Sequence, residues 1–160
     1  MNKKLENYME MCFVVAKNSP DPNTKIGSVL TDNRGRIIGV GYNGFLRDSD
    51  NDFPVVRGSG VGMSDSKYSY ISHAECNAMH NCCVVPHYIG GAIAYINGKS
   101  CFNCVRELWQ FGVHTIYQGD LLHGGINSET TKIINKIIEK TGIKIIDVDC
   151  SLFSWRKNYK

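Results

Sequence analysis

Leu5, Tyr8, Met9, Cys12, Phe13 and Ala16 recur at helical spacing, so residues 2–18 read as one amphipathic helix. Asn18-Ser19-Pro20-Asp21-Pro22-Asn23 ends it, because two prolines cannot continue a helix and each restricts the residue before it. Residues 26–31 and 36–40 are β-rich runs joined by Asp32-Asn33-Arg34-Gly35, a hairpin signal. Residues 45–67 carry Gly, Ser and Asp without periodicity and read as a long functional loop or insertion. Residues 73–83 then look helical, and the short apolar run 91–96 reads as a buried strand. A helix over 101–111 puts Val105, Leu108 and Trp109 on one face and stops at Gly112, followed by a strand over 113–117. Ile133, Ile134, Ile137 and Ile138 predict a helix ending at Thr141-Gly142, with a last strand over 143–148. That order predicts an α/β fold: a mixed central sheet with helices on both faces, a three-layer α-β-α sandwich in one domain over 1–160.

Composition narrows the class. The chain has 160 residues, 42% hydrophobic and 21% charged, which excludes wholesale disorder. No apolar run approaches the ~18 residues of a membrane-crossing helix. The first residues, Met1-Asn2-Lys3-Lys4, pass straight into the amphipathic pattern and do not read as a signal peptide. A net charge of +3 does not argue for a nucleic-acid partner, although it suits a small anionic ligand. Seven cysteines is an odd count, and Cys101 and Cys104 have metal-ligand spacing, so a reducing cytoplasm is expected rather than a disulfide framework.

The chemistry concentrates in His73-Ala74-Glu75 and, further on, Cys101-Phe102-Asn103-Cys104. Catalytic zinc takes three protein ligands and keeps a fourth position for water. A CxxC at a helix start can turn both thiolates to one ion, where the helix N-terminus favours their charge. His73 would be the third ligand. Glu75, two residues on, can reach the water as a proton shuttle without being a ligand. Each piece alone has an ordinary explanation, since CxxC is as often redox or structural and HxE occurs by chance. Together and in this order they match the His-x-Glu, Pro-Cys-x-x-Cys signature of zinc nucleobase deaminases. Ser100 stands where the signature has proline, which is expected to loosen the loop without removing a ligand.

Gly39-Val40-Gly41-Tyr42-Asn43-Gly44 matches the dinucleotide fingerprint GxGxxG. It is followed by no amphipathic helix and preceded by a hairpin, so a dinucleotide site is rejected. A tight turn using positive φ at glycine, or one aiming the Asn43 amide into a pocket, is expected instead.

The chain resembles the deoxycytidylate (dCMP) deaminase family of the cytidine deaminase-like superfamily. The matching pieces are Tyr8-Met9, Asp21-Pro22-Asn23-Thr24-Lys25-Ile26-Gly27, Gly41-Tyr42-Asn43-Gly44, the run from Lys67-Tyr68-Ser69-Tyr70 through His73-Ala74-Glu75 to Ala78, and Cys101-Phe102-Asn103-Cys104. The resemblance implies hydrolysis of dCMP to dUMP and ammonia, in thymidylate supply, with His73, Cys101 and Cys104 on zinc and Glu75 as shuttle. It implies that Asn43 meets the sugar hydroxyl and the Ala74 N–H meets the pyrimidine carbonyl. It further implies a hexamer activated by dCTP and inhibited by dTTP, with Mg²⁺ on the triphosphate and an effector site near Lys25, Gly41, Tyr42 and Gly44. Cys82-Cys83-Val84 departs from viral relatives that carry a basic residue there.

Other readings follow from the same residues. A deaminase of dCTP, of a modified cytosine nucleotide or of a polynucleotide would share the zinc site, and a non-catalytic zinc module would need no Glu75. His80, Cys82, Cys83 and His87 are candidates for a second metal. Asp48, Asp50 and Asp52 read as a solvated face. Arg47, Arg57, Lys67 and Lys99 are the candidate phosphate ligands. Phe153, Trp155 and Tyr159 predict a docked or frayed end of the chain.

Overall fold

A computed structural model describes residues 2–46, 48, 49, 54, 62–121 and 127–159. Its elements follow the expected order: α1 (Lys3–Ala16), β1 (Gly27–Asp32), β2 (Ile37–Tyr42), α2 (Ala74–His80), β3 (Ala92–Gly98), α3 (Phe102–Phe111), β4 (Val113–Leu121), α4 (Ser128–Thr141) and β5 (Lys144–Asp147). The five strands lie in the order β2-β1-β3-β4-β5. β1 is antiparallel to β2 and β3, whereas β3, β4 and β5 run parallel.

Local chemistry sets the ends of these elements. The hairpin turns on Asp32, whose Oδ1 accepts from the Arg34 and Arg36 amides at 2.9 and 2.8 Å, while Gly35 takes φ +82°. Gly112 and Gly142 close α3 and α4 in the left-handed region, as their positions after the last apolar residue predict. Asn127 and Thr130 form a capping box at the start of α4.

Two apolar clusters show the layers. On one face, Ala74, Ala78, Val105 and Leu108 pack with Leu30, Ala94, Ile96 and Ile116, and Ile134, Ile137 and Ile138 of α4 pack against that cluster. On the other, Met9, Cys12 and Phe13 of α1 meet Val29, Tyr95 and the chain end at Phe153 and Trp155. Alternate residues of β1 and β3 therefore serve opposite faces, as the pleat requires. The aromatic end is docked: Trp155 lies 5.3 Å from the Phe13 ring, centroid to centroid. All seven cysteines are free thiols, with Cys12 and Cys150 in the second cluster.

β2 differs from the expectation for its glycines. Gly41 and Tyr42 complete the strand rather than a turn, and Gly39, Gly41 and Gly44 are absent from the positive-φ glycines. Gly39 and Gly41 instead let α2 lie directly on the strand. A Cβ at Gly39 would stand 2.5 Å from the Ala78 carbonyl oxygen, and one at Gly41 2.6 Å from that of Ala74. So close a helix also closes the sheet edge. Asn77 Nδ2 donates to the Tyr42 carbonyl at 2.8 Å and Asn81 Nδ2 to that of Val40 at 2.9 Å. Gly41→Ala must push α2 off its seat, and overpacking of this kind costs about 1–3 kcal/mol. A lowered urea midpoint is the expected result, and an unchanged one would contradict this packing.

Candidate active site

His73 and Cys101 are the N-cap residues of α2 and α3, both in extended conformation. Each cap position turns its side chain toward the space between the two helix starts, and Cys104 enters from the first turn of α3. His73 Nδ1 lies 3.2 Å from Cys104 Sγ and 3.6 Å from Cys101 Sγ, and the three donor atoms lie within 4.8 Å of one another. Tetrahedral zinc with ordinary Zn–N and Zn–S bonds sets its N and S ligands about 3.5 Å apart, so the donor set fits that ion. Among the described residues no other group of three His, Cys, Asp or Glu converges in this way. His80, Cys82, Cys83 and His87 are therefore not assembled into a second metal site.

The three donor groups set one another's protonation. Hydrogen bonding from Cys104, aided by His73, brings the Cys101 thiol down to about 4 against the cost of burial. The same contact with Cys101 lifts His73 to about 9, and Cys104, hemmed by Cys101 and Cys76, is pushed up. Cys76, half-buried in the first turn of α2, stands beside the cluster.

Glu75 sits in the first turn of α2, 2% exposed, and its Oε1 has no hydrogen-bond partner among the described residues. A buried unpartnered carboxylate oxygen is costly in a finished protein and marks a place where substrate or water belongs. It faces a cleft of about 260 Å³ whose lining also includes His73, Ala74, Cys101 and Asn43. Ile71, Tyr68 and Phe102 give that cleft apolar and aromatic wall. As the first residue of α2, Ala74 has a backbone N–H with no intrahelical acceptor.

Asn43 is buried and almost fully engaged. Its Nδ2 donates to the Thr24 carbonyl at 2.9 Å and to Asp21 Oδ2 at 3.3 Å, and its Oδ1 accepts from the Ile26 amide at 2.7 Å. One acceptor position on Oδ1 remains, so the amide can receive a hydroxyl but cannot give a further hydrogen. Gly44 pairs with Ser72 in an isolated bridge that ties this segment to the start of α2.

Behind Asn43 stands a feature the sequence concealed. Lys67, 1% exposed, donates to Asp21 Oδ2, and both residues line the cleft. Burial would raise the Asp21 carboxyl, but the Lys67 ammonium and the Asn23 and Thr24 amides hold it below the usual carboxylate range. Lys67 is thus neutralised in place. Lys99 pairs with Asp147 at 2.5 Å and is not among the cleft residues. Arg47 and Arg57 lie outside the described residues, as do Asp50 and Asp52. Lys67→Met leaves the Asp21 carboxylate buried without its countercharge, which costs about 3–5 kcal/mol of stability. Chemical denaturation should show it, and a loss under about 1 kcal/mol would mean the pair is solvated.

Of the effector candidates, Lys25 donates to the Ser19 carbonyl and Gly41 is spent on packing against α2. Tyr42 is exposed at the end of β2.

A family model described as the cytidine and deoxycytidylate deaminase zinc-binding region matches residues 2–120. The deoxycytidylate deaminase of Homo sapiens is 28% identical over 153 residues, covering 90% of this chain and 85% of its own length. The probable deoxycytidylate deaminase of Caenorhabditis elegans is 34% identical over 116 residues, covering 72% of this chain and 56% of its own. The crystal structure of the cyanophage S-TIM5 dCMP deaminase in complex with dCMP and dUMP shares the fold, with a TM-score of 0.64, 20% identity, and coverage of 92% of this chain and 98% of that one.

Proposed function

The chain belongs to the cytidine and deoxycytidylate deaminase zinc-binding family, and we propose that it hydrolyses dCMP to dUMP and ammonia. The observation that carries the reading is the unpartnered Glu75 Oε1, buried in a cleft that also holds the His73, Cys101 and Cys104 cluster.

His73, Cys101 and Cys104 would hold the zinc, which would lower the pKa of a water toward neutral pH. The chain's residues would do the rest. Glu75 would take one proton from the attacking water and give it to N3 as the water oxygen bonds to C4; it would then move the proton of the new C4 hydroxyl to the amine, which leaves as ammonia as C4 becomes a carbonyl. The Ala74 N–H donates to the pyrimidine carbonyl, which fixes the ring's direction. Asn43 Oδ1 accepts from a sugar hydroxyl through its remaining lone pair. Ile71, Tyr68 and Phe102 exclude water from the faces of the base.

The reading extends to control. dCTP as activator and dTTP as inhibitor, with Mg²⁺ on the triphosphate, would act near Lys25, Gly41, Tyr42 and Gly44 in a hexamer. The exposed Tyr42 ring, beside Gly44, supports a nucleotide contact at that end of β2.

The test is the ultraviolet change from cytosine to uracil with dCMP, dCTP, deoxycytidine and CMP offered in parallel, each with and without dCTP or dTTP as effector. Turnover of dCMP above the other three is the expected result. Preference for dCTP would move the substrate to the triphosphate. Silence on all four with zinc bound would overturn the reading in favour of a polynucleotide substrate or a non-catalytic module.

A further inference from the structure

Ser100 breaks the proline of the signature immediately before the first cysteine ligand. Proline in that place has no N–H and a fixed φ, so it stiffens the approach to the cysteine by its ring. In this chain Ser100 is 1% exposed and its amide donates to Gln118 Oε1 at 3.1 Å. A proline could not make that bond. Gln118 sits in β4, and its own position is fixed from the far side: Nε2 donates to Asp147 Oδ1 of β5 at 2.8 Å. The same Asp147 oxygen takes Lys99 Nζ at 2.5 Å, and the Lys99 amide donates to the Leu121 carbonyl at 3.2 Å. The two residues that lead into Cys101 are thus held from three sides by β4 and β5. The Ser100 hydroxyl contributes nothing to this, since its Oγ is buried without a partner among the described residues. Only the N–H that proline lacks is in use.

We infer that Gln118 is a positioning residue for the zinc site, replacing with a side-chain hydrogen bond the rigidity that the missing proline would give to Cys101. The inference rests on Cys101 and Cys104 as zinc ligands. Outer partners of metal ligands are worth about 10–100-fold in metal affinity, and Gln118 falls in that range although it acts through the backbone before the ligand. It reaches neither the cleft nor the donor atoms, so its effect is on how long the metal is held.

The experiment follows zinc release from the zinc-loaded full chain into a chromophoric chelator. Gln118→Met, which keeps the side chain's length, should release zinc about tenfold faster or more. Ser100→Pro should release it at close to the wild-type rate. In the double variant the Gln118→Met effect should vanish, because proline needs no acceptor. A general loss of packing by Gln118→Met would persist in the Ser100→Pro background, so the double variant separates the two roles. Equal release from wild type and Gln118→Met, or an undiminished effect in the double variant, overturns the inference. Should Ser100→Pro fail to fold, Gln118→Glu combined with Asp147→Asn takes its place. The pair keeps an acceptor for the Ser100 amide and a hydrogen bond between residues 118 and 147 with donor and acceptor exchanged, and it must retain zinc longer than Gln118→Met. A wild-type chain that binds no zinc would refute the zinc reading itself, a result distinct from any of these.

Discussion

Glu75→Gln leaves zinc bound and turnover reduced by about 10²–10⁴-fold, the range that a positioned acid–base group contributes. The substitution changes no volume, so the 2% exposed site keeps its packing and α2 its first turn. What it removes is the ability to take a proton. The loss corresponds to about 2.7–5.5 kcal/mol of barrier. It should fall on kcat, because the amide still fills the cleft and can still hydrogen-bond the substrate. Zinc content by elemental analysis and kcat by the absorbance assay decide it together. Near-normal turnover would show that another group moves the protons.

Cys104→Ala gives the second large effect, on metal and fold at once. Cys104 is 2% exposed and its sulfur lies 3.2 Å from His73 Nδ1, so its loss reduces a three-donor set to two. Zinc should then be absent after dialysis. Since metal binding to the native state adds to folding stability, melting should fall by about 5 °C or more. The wild type treated with a strong chelator should melt close to the variant. Retention of one zinc per chain by Cys104→Ala would remove this residue from the ligand set.

The parts legible in the sequence are those whose meaning is local. Helix stops at Gly112 and Gly142, the hairpin at Asp32–Gly35 and the donors at two helix starts each depend on neighbours a few residues away. The short apolar run that buries β3 between two helical layers is equally local. What stayed hidden spans long stretches of chain. The Lys67–Asp21 pair joins residues 46 apart, and the stretch 45–67 that leads to Lys67 has no periodicity, so no spacing rule could announce it. Gly39 and Gly41 were read through a turn motif because a glycine in sequence states only that a Cβ is missing. Whether the space is for a turn, a phosphate or a helix is decided by what arrives from 37 residues later, as Ala78 does at Gly41. At Ser100 the sequence shows only the missing ring, whereas Gln118, which accepts from the Ser100 amide, and Asp147, which accepts from Gln118, come from other strands.

The seat of α2 on β2 has one more consequence. A terminal strand with open carbonyls is a template on which another chain can lay a strand, the first step of fibril growth. Here the carbonyls of Val40 and Tyr42 are taken by asparagines of α2, while Ile37 and Val40 on the same strand keep exposed apolar side chains. The helix that guards this edge is also the one that begins at His73 and carries Glu75. Whatever unseats it, such as a side chain at Gly41, displaces Glu75 and uncovers a sticky strand in the same event. Molecules that lose this seat are expected to be inactive and aggregation-prone together.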